Sequence, residues 1–199
     1  MNLKMMLVIG SALAAFSGTA GAAIITFDSM GVQGSTTPNP GGFALDGYTF
    51  SNNMDVVDVS SSGNWWSNGV GANHSGKYAA LNDWGGDMFM TQVGGGTFSV
   101  ENLSLNGWQG SSYQTLVQGL YNGSVVASII TTIGSPWLNV ATNFSNIDTL
   151  RISGGIFLVD DISVNSGNPS AVPLPAALPL MLSGLGILGF ASRRRKEIA

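Results

Sequence analysis

Between residues 23 and 165, apolar side chains recur at every second position in short runs, and helical spacing is nearly absent. Such alternation predicts half-buried β-strands. Ten are expected: Ala23–Asp28, Gly47–Ser51, Met54–Ser60, Tyr78–Asn82, Met88–Val93, Thr97–Leu105, Gln114–Tyr121, Ser124–Thr132, Asp148–Ser153 and Phe157–Asn165. Between them lie turn-forming Gly, Ser, Asn and Thr, so the pattern predicts an all-β antiparallel sandwich or barrel. The clearest hairpin joins Thr115–Tyr121 to Ser124–Ile130 through Asn122-Gly123. That pair accepts the positive φ of a type I′ turn, whose twist suits antiparallel strands. In Thr97–Leu105, Phe98 and Val100 share one face while Leu103 and Leu105 fall on the other. A bulge near Glu101-Asn102 would return all four to one core. Gly31–Gly42 and Ser60–Gly76 read as long polar loops.

The two ends carry a different pattern. Lys4 precedes the apolar run Met5–Phe16, and Ala20-Gly21-Ala22 follows as a small-residue cleavage site. Residues 1–22 therefore read as a secretory signal peptide. Near the other end, Leu174–Ser192 is nineteen residues long without a charge. About 20 such residues span a bilayer as a helix, so a single C-terminal transmembrane helix is expected. Arg193, Arg194, Arg195 and Lys196 follow directly and would remain on the cytoplasmic side. The chain thus divides into a signal peptide (1–22), a β domain (23–165), a Ser-Gly-Asn-Pro-rich linker (166–171) and a C-terminal tail (172–199).

The tail begins Val172-Pro173-Leu174-Pro175-Ala176, then runs through the apolar span to the basic cluster. This tripartite order resembles the VPLPA-CTERM sorting signal, a relative of the PEP-CTERM signal. The resemblance implies processing by an exosortase, a membrane transpeptidase that cuts near the short motif. It also implies transient anchoring in the inner membrane of a bacterium with an outer membrane. The cell surface or an extracellular polysaccharide matrix would follow. A second likeness covers Thr97 to Asn165, with Leu105-Asn-Gly-Trp108, the Tyr-Asn-Gly hairpin, Trp137 and Phe157–Val164 in order. It resembles the jelly-roll sandwich of many proteins with such tails and, more distantly, carbohydrate-binding modules. A jelly-roll-like β-sandwich is the fold this implies; no single activity comes with it.

Charge narrows the function classes. Between residues 23 and 171, ten acidic side chains face only Lys77 and Arg151, a net charge of −8. Nucleic acid is not an expected partner of so acidic a surface. There is no cysteine, which excludes a disulfide framework and a Cys/His dyad. The single histidine, His74, sits in a polar loop, and no G-x-S-x-G elbow accompanies it. It reads as an exposed loop residue without a task, and a zinc site lacks ligands. Asp83 and Asp87 form the only obvious carboxylate pair for glycoside hydrolysis, and their spacing is that of any loop aspartates. No catalytic residue is assigned, and the protein is expected not to be an enzyme.

Two binding chemistries remain. Asp28 closes the first expected strand and Asp160-Asp161 lie on the last, strands that run side by side in many sandwiches. Together they are candidate ligands of a structural calcium ion, or else a turn residue and two strand aspartates; no cofactor is required. Five tryptophans offer apolar faces for sugar rings. Trp65, Trp66 and Trp84 border polar loops and are the candidate glycan contacts, while Trp137 and Trp108 are assigned to the sandwich. The expected role is structural or adhesive association with exopolysaccharide. A lectin-like module with a defined glycan site is the alternative, and a glycan-acting enzyme a further one.

Overall fold

The computed structural model describes residues 22–39, 41–51, 54–60 and 74–166. Trp65, Trp66, the expected signal peptide apart from Ala22, and the whole tail from Val172 to Ala199 lie outside the described residues. Among those described, no helix is long and apolar enough to cross a membrane.

The chain forms β1 Ala22–Ile25, β2 Thr36–Thr37, β3 Phe43–Leu45, β4 Tyr48–Phe50, β5 Met54–Asp58, β6 Tyr78–Asn82 and β7 Met88–Gln92. There follow β8 Phe98–Gly107, β9 Tyr113–Tyr121, β10 Ser124–Ile133, β11 Leu138–Ile147, β12 Thr149–Ser153 and β13 Phe157–Ser166. Single 3₁₀ turns occupy Asp83–Gly85 and Trp108–Gly110. One sheet runs β11-β8-β13-β6-β5-β2, and the other β10-β9-β12-β7-β4-β3. All pairings are antiparallel, so the fold is an all-β sandwich. β1 and β6 lie end to end along β13: β6 pairs its first residues, and β1 pairs Ile162 to Asn165.

The strand pattern explains why the sheets pack. Phe98, Val100, Leu103 and Leu105 all enter one core with Phe27, Phe50, Met88, Met90, Ile152 and Phe157. They share a face because Ser163 pairs with Asn102 and Val164 with Val100, which leaves Glu101 as the extra residue of a bulge. Removing such side chains from water is worth about 1.5–3 kcal/mol each. The β9–β10 hairpin turns at Asn122 (φ 49) and Gly123 (φ 74), with Tyr121 opposite Ser124. Both central residues thus adopt the left-handed region, as the type I′ turn requires.

Several expectations are corrected. β11, ten residues long, is not among the expected strands. Its buried positions Val140, Thr142 and Phe144 keep the period of two, but Thr142 is polar, and the register shift at left-handed Asn146 (φ 54) then puts Ile147 three positions on. A polar residue at a core position and one extra residue after it together hide the alternation. β2 lies inside the expected Gly31–Gly42 loop, and β3 extends the second sheet. β1 is shorter than expected and starts at Ala22, while β13 continues to Ser166, into the expected linker.

A second apolar cluster lies on the opposite face of the first sheet. Val56, Ala80 and Val159 point into the main core, whereas Val57, Val59, Ala79, Leu81 and Leu158 point the other way and bury Trp137. Trp108 and Ile156 pack against this cluster. Trp137 is therefore buried, but over the outer face of the sheet and not between the sheets.

Candidate functional site

On this same outer face, register builds a row of side chains. Asp55 pairs with Leu81, Leu81 with Leu158, and Leu158 with Asn106. Above the row, the 3₁₀ turns that leave β6 and β8 carry Trp84 and Trp108. A cleft of about 640 Å³ opens there, lined by Thr36, Asp55, Leu81, Asp83, Trp84, Trp108 and Ile156 among others. Clefts of this size commonly hold small organic ligands.

The walls are pinned by hydrogen bonds. Buried Asn82 donates from Nδ2 to the carbonyls of Gly86 (2.8 Å) and Gly155 (2.9 Å). Its Oδ1 accepts from the Phe157 N–H at 2.6 Å, so one side chain ties the Trp84 turn to the start of β13. The Trp108 N–H donates to the Ile156 carbonyl at 3.0 Å. Before it, Gly107 is obligatory, since a Cβ there would stand 1.9 Å from the Ser111 carbonyl oxygen. Trp84 itself has φ 54 and is 91 % exposed. A bulky residue in the left-handed region and in water is doubly unfavourable for stability alone, which points to a role beyond folding.

The cleft is acidic. Burial pushes the Asp55 carboxyl above the usual carboxylate range; a hydrogen bond from the Asn39 N–H works against the rise, and the charge of Asp83 adds to it. Neither basic side chain of the described residues lines the cleft. Arg151 belongs to the other sheet, where Nη2 and Nε donate to Asp87 Oδ2 at 2.6 and 3.0 Å. The two carboxylates Asp83 and Asp87 thus have separate surroundings: Asp83 faces the cleft and Asp87 is committed to Arg151.

The remaining candidates fall elsewhere. Asp28 and Asp161 converge on residues 75–78, at the joint where β1 gives way to β6 along β13. Asp161, at φ 49 in a bulge, accepts from the Ser75 N–H at 2.7 Å and from its hydroxyl. Asp28 accepts from the N–H groups of Lys77 (2.8 Å) and Tyr78 (3.3 Å). Asp160 points instead into the outer-face cluster, fully buried, with neither carboxylate oxygen in a hydrogen bond. No group of three or more His, Asp or Glu side chains forms a cation site among the described residues. Asp28, Asp160 and Asp161 thus do not make a common oxygen shell for calcium.

His74 departs most from expectation. Its side chain is 3 % exposed, its ring lies 4.5 Å from that of Trp137, and Nδ1 stands 3.5 Å from Asp160 Oδ2. The sequence shows a loop histidine; stacking on a tryptophan 63 positions away withdraws it from water. Burial pushes Asp160 up to about 6. The interaction with Asp160 raises His74 in turn, against the opposing effect of its own burial.

Of the candidate sugar contacts, Trp84 lies on the cleft. Trp108, assigned to the sandwich from sequence, faces the same cleft while its other side packs on the second cluster. Asp55 and Asp83 complete the site without any local signal, because register alone unites them.

Comparison with known proteins gives two kinds of likeness. The family model described as the PEP-CTERM protein-sorting motif matches residues 171–196. No curated protein matches the chain in sequence. Among solved structures, the sandwich is similar to a DUF4465 family protein from Bacteroides caccae, at 8 % identity and a TM-score of 0.47, over 73 % of this chain and 99 % of that one. It is similar to TmCBM61, solved with β-1,4-galactotriose, at 17 % identity and a TM-score of 0.35, over 65 % and 99 % of the two chains. The tandem CBM22 domains of Xyn10C from Paenibacillus barcinonensis align at 12 % identity and a TM-score of 0.42, over 82 % and 50 %. The chain is an all-β sandwich that carries a PEP-CTERM protein-sorting motif, the mark of an exported protein.

Proposed function

We propose that the domain binds carbohydrate through the outer-face cleft, as a non-catalytic component of an extracellular polysaccharide matrix. One observation carries this reading: the Trp84 indole, 91 % exposed, stands on the rim of a cleft that Trp108 also lines. Flat apolar rings cover the apolar faces of pyranoses, and carboxylates such as Asp55 and Asp83 accept sugar hydroxyls. Separation of Asp83 from Asp87 favours binding over hydrolysis. In pull-downs on polysaccharide from the producing cells, Trp84→Ala is expected to abolish retention. As an exposed side chain, its loss should change stability by no more than about 0.5 kcal/mol. Retention unchanged in Trp84→Ala would remove the cleft from consideration.

The tail supports the setting. We read the motif at Val172–Ala176 as an exosortase signal, with anchoring in the inner membrane before release to the surface or matrix. Intact-mass measurement of the exported protein should reveal a C-terminal loss of about 2–3 kDa, the size of such a span. Recovery of only the full-length membrane form, with an exosortase present, would contradict processing.

A further inference from the structure

Two carboxylates share the cleft with two indole faces, and among the described residues no ammonium or guanidinium lines it. Asp55 accepts a single bond, 3.3 Å from the Asn39 N–H, and the Asp83 carboxylate has no partner among the described residues. A ligand that closes over Trp84 and Trp108 displaces the water that solvates these charges. The ligand must then supply hydrogen-bond donors or positive charge in return. Hydroxyl pairs of neutral sugars do so, and a protonated amine does so more strongly, with the indole faces adding cation–π attraction. A uronate, sulfate or phosphate instead brings a further negative charge against both aspartates, which no described residue of the cleft compensates.

Resting on the carbohydrate reading above, we infer that the cleft selects glycans free of acidic groups, with Asp55 and Asp83 as its specificity determinants. Acidic chains are rejected by the repulsive element that a selective site needs, and amine-bearing sugars are preferred to their N-acetylated counterparts. The consequence reaches the matrix itself: this protein engages a neutral or amine-bearing polymer, even where an acidic one is present.

The test uses the exported protein on a panel of neutral, glucosamine-containing and uronate oligosaccharides of mixed linkage. Uronates should bind about tenfold or more weakly than the best neutral chain, and glucosamine binding alone should fall as salt rises. In Asp55→Asn/Asp83→Asn the ratio of uronate to neutral affinity should rise by about tenfold or more. Because a ratio is read, a general loss of affinity in this variant does not mimic the effect. Uronates bound as tightly as neutral chains by the unsubstituted protein, or a ratio unmoved by the double substitution, would overturn the inference and leave the cleft as a sugar site. Failure of every oligosaccharide to bind would overturn the carbohydrate reading itself.

Discussion

Replacing Trp137 by alanine is expected to destabilise the domain by ~3–5 kcal/mol, a large fraction of what a domain of this size has to lose. The side chain is 1 % exposed and is the largest member of the outer-face cluster. Its removal leaves a void beside Val59 and between Val57, Ala79, Leu81 and Leu158, and the positions of these four on paired strands prevent collapse. The His74 ring loses its platform. Trp108 belongs to the same cluster, so sugar retention should fall along with stability. Chemical denaturation of Trp137→Ala beside Trp84→Ala separates the two roles: the first shifts the midpoint strongly, the second hardly at all. A cost below about 1 kcal/mol for Trp137→Ala would mean that this face is a surface and not a second core.

Stability is also expected to fall as pH rises from 5 to 8. The buried Asp160 carboxyl, pushed up to about 6, holds its proton more tightly in the folded chain than in the unfolded one. Its contribution is complete below the ordinary carboxylate range and is lost as pH climbs through 6. His74, also raised, stabilises the fold below its unfolded pKa, and that share disappears as pH passes its folded value. Both groups therefore act in one direction, with the neighbouring Asp161 charge favouring protonation of each. From pH 5 to 8 the Asp160 share amounts to about 1–2 kcal/mol. Asp58 does not offset it. Burial acts to raise that carboxyl, but bonds from Ser60 and Gly34 hold it below its ordinary value, so it titrates only at lower pH. Melting curves across this range should slope downward for the native protein and flatten in Asp160→Asn. An unsloped native profile, or a slope undiminished by the substitution, would refute the assignment.

Local patterns carried what contiguous residues encode. Asn122-Gly123 announces its turn because both φ values are a property of two adjacent residues. The uncorrected alternation of Phe98, Val100, Leu103 and Leu105 reveals a bulge because the slip is confined to one strand. The tail is legible for the same reason: its motif, span and basic cluster are consecutive. β11 escapes because its buried Thr142 is polar and a slip at Asn146 breaks its period, and β2 and β3 because two or three residues cannot display one. The cleft is invisible at this level. Asp55, Leu81, Asp83 and Trp108 come from separate parts of the chain and meet only through strand pairing. His74 and Trp137 meet in the same way, which is why a histidine in a polar loop turns out to be buried.

The course of β13 has a consequence for orientation. Ile156, just before its first residue, lines the cleft, and Ser166, at its end, stands six positions before Val172. A ten-residue strand measures about 30 Å, so it sets that distance between the mouth and the point from which the tail departs. β1 leaves from the same end, with Ala22 beside Asn165. Ala22 and Ser166 therefore lie together at the pole opposite the mouth, so whatever follows Ser166 departs from the side of the domain farthest from the cleft.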